Sequence, residues 1–208
     1  MPNTKAAAAK TPRKITQGAA AQAQILDAVD VLFYQEGARA VGIDAVVKRA
    51  GVNKMSLYRQ FQSKDDLLLH YLARRDDDFW AYIDASIAKH PGAPQQQLWQ
   101  IFADVALRAR RPTYRGCPFV NITAEFPDRG HAARQFVAKN KAELIERFNA
   151  LASAAHAANP AQLADGLALL LEGAYAASQT YESERSPLAS LPDIAALLIN
   201  AATPQPPR

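Results

Sequence analysis

Apolar residues recur every three to four positions along most of the chain, which is the period of an amphipathic α-helix. The clearest stripe lies in residues 43–50, where Ile43, Val46, Val47 and Ala50 occupy positions i, i+3, i+4 and i+7. No segment of convincing length alternates apolar and polar residues as a half-buried strand would. The pattern therefore predicts an all-α protein.

Glycine and proline residues divide the helical pattern into about nine predicted helices. These span residues 18–36, 43–50, 54–60, 65–88, 95–109, 116–126, 131–157, 160–182 and 193–202. The basic, Ala- and Pro-containing segment 1–17 and the segment 204–208 predict disordered tails. We assign residues 18–64 to an N-terminal domain and residues 65–203 to a C-terminal helical domain, with the helix over 65–88 as the connector.

Two short helices joined by a tight turn stand out in residues 43–60. Gly51 can adopt the left-handed conformation that ends the first helix, and Asn53 is a favourable N-cap for the second. Leu57 and Phe61, four residues apart, are expected to face inward. A helix, a short turn containing glycine and a second helix form the helix-turn-helix layout, in which the second helix reads DNA.

Residues 22–70 resemble the N-terminal domain of the TetR family of bacterial transcriptional repressors. The resemblance rests chiefly on three motifs: Ala50-Gly51-Val52, Leu57-Tyr58-x-x-Phe61 and Ser63-Lys64-Asp65. It implies a three-helix DNA-binding domain, a C-terminal domain for effector binding and dimerisation, and a homodimer on a pseudo-palindromic operator. The implied function is a repressor that an unknown small-molecule effector releases from double-stranded DNA.

Seven residues are predicted to contact DNA: Lys54, Met55, Ser56, Tyr58, Arg59, Gln60 and Lys64. Lys54 and Arg59 could hydrogen-bond guanine O6 and N7, although both could instead contact only phosphate. The resemblance assigns phosphate contacts to Tyr58 and Lys64. Family members usually carry Thr or Ser at the start of the preceding helix. This chain has Val41 and Gly42 there, which puts that phosphate contact in doubt.

The charge distribution agrees with a DNA-binding N-terminal domain. Residues 1–64 carry a net charge of +6, whereas the remainder of the chain carries −2. A basic third on a mildly acidic remainder is typical of a nucleic-acid-binding domain attached to a separate core. A solvated charged surface with no partner is the alternative.

Helix 160–182 carries a predicted dimerisation stripe: Gly166, Leu170, Gly173 and Ala177. Two glycines on one stripe weaken an isolated helix, but they allow another backbone to approach closely. The resemblance implies that this helix and the next one pair with their two-fold mates. Packing against helix 65–88 or helix 131–157 of the same chain is the alternative.

Six residues of the C-terminal domain are candidates for a ligand cavity: Trp99, Phe102, Phe119, Asn121, Glu125 and Tyr175. Ordinary core packing could equally explain each aromatic residue. Asn121 and Glu125, spaced i and i+4, could orient a polar ligand or form a solvated pair.

Cys117, the sole cysteine, fits a reducing cytoplasm. It is expected at the N-terminus of helix 116–126, where the helix dipole favours a thiolate. An alternative function is therefore a DNA-binding regulator that senses oxidants or electrophiles through Cys117 without a small ligand. The sequence contains no catalytic, metal-binding or cofactor motif and no apolar run of about 18 residues. We predict a cytoplasmic protein that is neither an enzyme nor membrane-bound and has no cofactor.

Overall fold

The computed structural model describes residues 13–182 and 185–203, with side chains from residue 18 onwards. That part of the chain forms nine α-helices and a short 3₁₀ turn, Pro187–Ser190, and contains no strand. The helices are α1 Arg13–Glu36, α2 Ile43–Ala50, α3 Lys54–Gln60, α4 Lys64–Ile87, α5 Pro94–Ala109, α6 Pro118–Glu125, α7 Ala132–Ala154, α8 Pro160–Thr180 and α9 Leu191–Ala202. The predicted all-α class is confirmed.

The first three helices pack together as a unit that we call the head. Helix α1 contacts both α2 and α3, and its buried stripe includes Val29 and Phe33. Leu57 of α3 and Phe61, which follows the last residue of α3, are fully buried in the same core. A helix of seven residues is not stable in isolation, so this burial is what holds α3 in place.

Local capping sets the turn between α2 and α3. Gly51 ends α2 in the left-handed conformation, with φ of 67°, and its N–H donates to the carbonyl oxygen of Val47. Asn53 begins α3, and its side chain accepts a hydrogen bond of 2.8 Å from the N–H of Ser56. Both predicted roles, for Gly51 and for Asn53, are confirmed.

The remaining helices, α4–α9, form a second part that we call the body. Helix α4 begins next to the head and extends into the core of the body. Ser63 caps α4 by accepting a hydrogen bond of 3.0 Å from the N–H of Asp66. Near its start Tyr71 packs edge-to-face on Phe33 of α1, and further along Phe79 packs edge-to-face on Phe119 of α6. One helix thus contributes to the apolar cores of both parts.

The body is built from paired helices. Helix α7 packs along α8, and α5 packs along α9. Phe102 of α5 and Phe148 of α7 meet in its core with ring centroids 6.0 Å apart. Among the described residues, no helix combines the length and the apolar character that a membrane crossing requires.

The first helix begins five residues earlier than predicted. Residues 13–17 belong to α1 rather than to a disordered tail. No glycine or proline interrupts these residues, and a helix that is already nucleated extends at little cost. The predictions for residues 1–12 and 204–208 lie outside the described residues.

Two boundaries in the body also differ from the prediction. Helix α7 ends at Ala154 because His156 adopts a positive φ of 56°, and the N–H of Ala157 then bonds to the carbonyl oxygen of Ala152. Helix α9 begins at Leu191 because Pro192 fits within the first turn, where no backbone N–H is needed. The remaining bounds lie within two residues of the prediction.

The carboxylate of Asp104 ties α5 to α4. It accepts hydrogen bonds of 2.8 Å from Ser86 Oγ and 2.7 Å from Lys89 Nζ. Burial alone would raise the pKa of Asp104, but the hydrogen bonds from Lys89, Ser86 and Gln100 outweigh burial and hold it below its usual value. The folded pKa is thus lower than the unfolded one. Ionised Asp104 therefore stabilises the fold above about pH 4 and ceases to do so as the pH falls through the folded pKa.

We expect Asp104→Asn to lower the free energy of unfolding by about 1–3 kcal/mol near pH 7, because charge-assisted hydrogen bonds are lost. The difference from wild type should shrink at a pH well below 4, once the pH has fallen through the lowered pKa and wild-type Asp104 has gained its own proton. Urea titrations at the two pH values measure both effects. Asp77→Asn, at an exposed position of α4, is the control, and an Asp104→Asn deficit that does not change with pH would contradict the assignment.

Candidate nucleic-acid interface and internal cavity

The burial of Leu57 and Phe61 turns the opposite face of α3 to solvent. On that face Met55 is 66% exposed and Tyr58 is 53% exposed, and Arg59 is exposed beside them. The patch combines an apolar group, a hydroxyl and a guanidinium. These are groups that contact thymine methyls, phosphates and guanine edges respectively.

The cations of this patch differ in how they are held. Lys54 Nζ lies 2.8 Å from Asp44 Oδ1 of α2, and the hydrogen bond and charge of Asp44 raise the pKa of Lys54. Both partners are exposed, so the pair is weak and a phosphate could replace Asp44. Arg59 Nη2 lies 3.5 Å from Met55 Sδ, so two of the predicted base-contacting residues form one continuous surface.

The other residues predicted to contact DNA are partly buried or hydrogen-bonded within the protein. Lys64 Nζ donates a hydrogen bond of 3.1 Å to the carbonyl oxygen of Arg39, and partial burial lowers the pKa of Lys64. The amide nitrogen of Gln60 lies against Gly18 of α1, and Ser56 is half-buried in the first turn of α3. The exposed patch of α3 therefore consists of Lys54, Met55, Tyr58 and Arg59.

The start of α2 lacks a side-chain cap. Its N-cap residue is Gly42, and the side chain of Val41 is buried in the head. The hydroxyl that Thr or Ser would place here is absent. These two positions therefore have no side-chain hydroxyl to offer a phosphate.

Hydrogen bonds to main-chain atoms join the end of α1 to the segment before α6, and we call this contact the head–body junction. Tyr34 Oη donates to the carbonyl oxygen of Gly116 at 3.0 Å and accepts from the N–H of Arg115 at 2.7 Å. The Arg115 guanidinium donates back to the carbonyl oxygens of Tyr34 and Gln35. Gln35 Nε2 donates to the carbonyl oxygen of Thr113 at 3.1 Å.

Glu125, predicted as a ligand contact, belongs to the same junction instead. Its carboxylate accepts a hydrogen bond of 2.7 Å from the N–H of Arg39, and its carbonyl oxygen accepts one of 3.1 Å from the Arg39 guanidinium. The carboxylate also lies 3.3 Å from the place where a Cβ on Gly37 would stand. Gly37 has a φ of 94°, so a larger residue would be strained as well as crowded.

The predicted aromatic ligand residues are dispersed as well. Phe102 packs on Phe148 in the core of the body, and Phe119 stacks on Phe136 with centroids 6.5 Å apart. Trp99 is 37% exposed on the outer side of α5, beside α9. These three rings therefore lie at separate places in the body.

Asn121 also has a structural role. Its Nδ2 donates to the carbonyl oxygen of Arg115 at 2.9 Å, and its Oδ1 accepts from Gln179 Nε2 at 3.1 Å. Both ends of the amide are therefore used in bracing the segment before α6 against α8. The six predicted residues do not form a single ligand site.

A cavity of about 200 Å³ lies where head and body meet. Helices α1, α4, α5 and α8 and the segment around the start of α6 form its wall, through Tyr34, Arg75, Asp78, Phe79, Arg108, Tyr114, Gly116, Cys117, Pro118 and Tyr175. Of the six predicted ligand residues, Tyr175 lies in this wall. Burial raises the pKa values of Tyr34, Tyr114 and Tyr175, so all three remain neutral phenols. No group of three metal-ligating side chains occurs in the part of the chain described here.

Two functional groups of this wall, those of Tyr34 and Arg108, were not singled out as ligand candidates from the sequence. Arg108 precedes Arg110 by two residues and Arg111 by three, so in the sequence it looks like part of the basic last turn of an ordinary helix. Tyr34 lies just off the core stripe of α1. These residues meet only through tertiary packing, and the local sequence carries no signal of it.

Cys117 is the N-cap of α6, as predicted, but its thiol is not activated. Burial raises the pKa of Cys117 and outweighs the opposing effects of Lys141, whose Nζ lies 3.7 Å from Sγ, and of the N–H groups of Phe119 and Val120. The thiol is therefore neutral at physiological pH. This argues against a thiolate-based sensor.

The predicted dimerisation stripe lies on an open face of the body. An added Cβ at Gly166 or at Gly173 would meet nothing within 4 Å. These two glycines therefore do not pack against α4 or α7, so the intrachain alternative does not account for them. Leu169 of α8 and Leu197 of α9 are 74% and 70% exposed, and Leu170 and Ala177 are half-buried.

A helix-turn-helix head with an exposed third helix, joined to an all-helical body, defines a DNA-binding transcriptional regulator. Residues 25–71 match the family model for bacterial regulatory proteins of the tetR family. Residues 94–189 match the model for the tetracyclin repressor-like C-terminal domain. The chain belongs to the TetR family of transcriptional regulators.

Individual relatives agree with this assignment. The HTH-type transcriptional activator FasR of Mycolicibacterium smegmatis is 42% identical over 55 residues, which cover 26% of this chain and 25% of FasR. SCO4454, a TetR-family regulator from Streptomyces coelicolor, is 27% identical with a TM-score of 0.78, over 88% of this chain and 94% of that one. The TetR-family regulator CifR, solved as a cysteine mutant with 26-bp operator DNA, shares the fold, with 19% identity and a TM-score of 0.72 over 92% of this chain and 99% of that one.

We expect the Cys117 thiol to react with Ellman's reagent roughly tenfold more slowly, or slower still, in the folded protein than in urea at about pH 8, because it is buried and neutral. Absorbance at the thionitrobenzoate band follows the reaction. Cys117→Ser should give no signal, since the chain has a single cysteine. Equal rates in the folded and unfolded protein would restore the sensor alternative.

Proposed function

We propose that this chain is a non-enzymatic, homodimeric and sequence-specific repressor that a small-molecule effector releases from its operator. The single observation that carries the DNA-reading part is the exposed patch of α3, whose opposite face is buried in the head; the patch consists of Lys54, Met55, Tyr58 and Arg59. Such a patch can enter a major groove without any rearrangement of the head core. FasR is named an activator, so repression needs its own test: transcription in vitro from the operator-bearing promoter, with and without the protein.

The open face of α8 and α9 supports a two-fold dimer. Gly166 and Gly173 leave room for a second backbone, and Leu169 of α8 and Leu197 of α9 expose apolar side chains. A shallow apolar groove bordered by Gly173, Ala177 and Ile194 continues the same face. A two-fold dimer presents two copies of α3, which favours a pseudo-palindromic site with half-sites about one helical turn apart.

The cavity supports control by a small molecule. Its wall includes Tyr34 of the head together with Arg108, Tyr114 and Tyr175 of the body, so an occupant would touch both sides of the head–body junction. A ligand that binds one arrangement of head and body better than the other shifts the protein toward that arrangement. Helix α4, which contributes to both cores, is the connector through which the shift would reach the spacing of the two α3 helices.

We expect Arg59→Ala and Met55→Ala to change which base pairs are preferred, at a cost of about 1–3 kcal/mol on the best site when a base contact is lost. Tyr58→Phe and Lys64→Ala should instead weaken binding about equally on all sequences, because phosphates are the same everywhere. An operator selected from random duplexes, followed by anisotropy titrations on it and on scrambled DNA, gives both quantities.

The matched control for charge is Lys139→Ala, which removes one exposed cation from α7 of the body. It should leave both affinities close to wild type. If every α3 variant loses the same factor on selected and scrambled DNA, this face does not read bases. Absence of any preferred duplex would refute the proposed function itself.

We expect Gly173→Leu to loosen the dimer, because the added side chain occupies the space left for the partner backbone. The folded monomer should not suffer, since the position is open and leucine favours a helix more than glycine does. Analytical ultracentrifugation measures the dimer constant, and thermal unfolding checks the fold. Ala150→Leu on the exposed side of α7 is the control for added apolar surface, and a Gly173→Leu dimer as tight as wild type would place the interface elsewhere.

A further inference from the structure

Arg108 places a cation in the cavity wall with no carboxylate partner among the described residues. Its guanidinium lies against aromatic rings instead, 3.6 Å from the ring centroid of Tyr82 and 5.7 Å from that of Tyr114. The Nε atom of Arg108 is buried and makes no hydrogen bond within the described chain. A half-buried guanidinium without an anion keeps a strong tendency to pair with one.

The other cation of the wall, Arg75, is already neutralised. Its Nη2 lies 2.9 Å from Asp30 Oδ1, and its Nη1 lies 3.3 Å from Asp78 Oδ2. The carboxylate of Asp78, also in the wall, is thereby engaged as well. Arg108 is thus the charge that remains for a ligand to match, and one cation suits a monoanion better than a dianion.

The rest of the wall offers neutral donors and flat apolar surface. The hydroxyl of Tyr114 is buried beside the Arg108 guanidinium and makes no hydrogen bond of full geometry in the described chain. Phe79 and Tyr175 present aromatic rings to the same cavity. The cavity therefore offers a phenol hydroxyl, a guanidinium without an ion-pair partner, and ring faces on which a planar group can pack.

We propose that this cavity binds a small organic monocarboxylate with a flat apolar body, and that the carboxylate pairs with Arg108. The inference rests on the proposed effector-controlled function, because it names the chemical class of the effector. A guanidinium donates two parallel hydrogen bonds to a carboxylate, and Tyr114 supplies a further donor. At the packing density of a protein interior, about 200 Å³ holds about ten non-hydrogen atoms, the size of a one-ring aromatic acid.

The test uses the full-length dimer and three acids: benzoate, salicylate and phenylacetate. Each acid is compared by calorimetry and thermal shift with its neutral amide, which has nearly the same shape. We expect at least one acid to bind about tenfold or more tightly than its amide. This comparison needs no variant.

Arg108→Met keeps the length and the apolar contact with Tyr82 but removes the charge, so it should abolish the preference for the acid. Tyr114→Phe, which removes only a hydroxyl, should weaken the acid several-fold. Arg110→Met removes a neighbouring exposed charge outside the wall and should behave as wild type. Circular dichroism confirms that each variant is folded.

Operator titrations form a separate arm. A bound acid should lower operator affinity several-fold to about a hundredfold in wild type and not in Arg108→Met. Equal binding of acids and amides, no binding of any acid, or undiminished acid binding by folded Arg108→Met would each overturn the inference. If the protein selects an operator but shows no preference for acids, only the proposed effector class is refuted. If it prefers no duplex over any other, the proposed function is refuted, whatever small molecule it binds.

Discussion

The burial of Leu57 and Phe61 against α1 is the contact on which the exposed surface of the head depends. With seven residues, α3 is too short to persist by backbone hydrogen bonding alone. Two apolar anchors one turn apart fix both the position and the rotation of the helix. Met55, Tyr58 and Arg59 are therefore exposed as a direct result of what is buried.

Two kinds of contact with different physical character hold the head to the body. Along α4 the contact is apolar, through Tyr71 on one side and Phe79 on the other, and it depends on area rather than direction. At the end of α1 the contact is a set of directional hydrogen bonds centred on Tyr34 and Arg115. A small displacement of the head relative to the body breaks directional hydrogen bonds before it exposes apolar core residues to water. The cavity lies beside these hydrogen bonds, so an effector bound there as proposed would act on contacts that a small shift can break.

The features that the sequence predicts well depend on neighbouring residues in the chain. Gly51, Asn53 and Ser63 act within their own turn, so helix number and most helix bounds follow from periodicity and capping. The cavity is not local, because Tyr34 and Arg108 come together only through packing. The pKa of Cys117 shows the same limit of local reasoning. Its position at a helix start suggests a lowered pKa, but burial, a property of the whole fold, reverses the direction.

Each hydrogen bond of the head–body junction joins a main-chain atom to one of five side chains: Tyr34, Gln35, Arg39, Arg115 and Glu125. None of these side chains belongs to the body's part of the cavity wall, which contributes only the carbonyl oxygen of Gly116 to the junction. The body can therefore exchange many cavity-facing residues without losing its registration on the head. Substitutions in the body's part of the cavity wall can therefore change which ligand the fold accepts, while the hydrogen bonds that connect the head to the body stay the same.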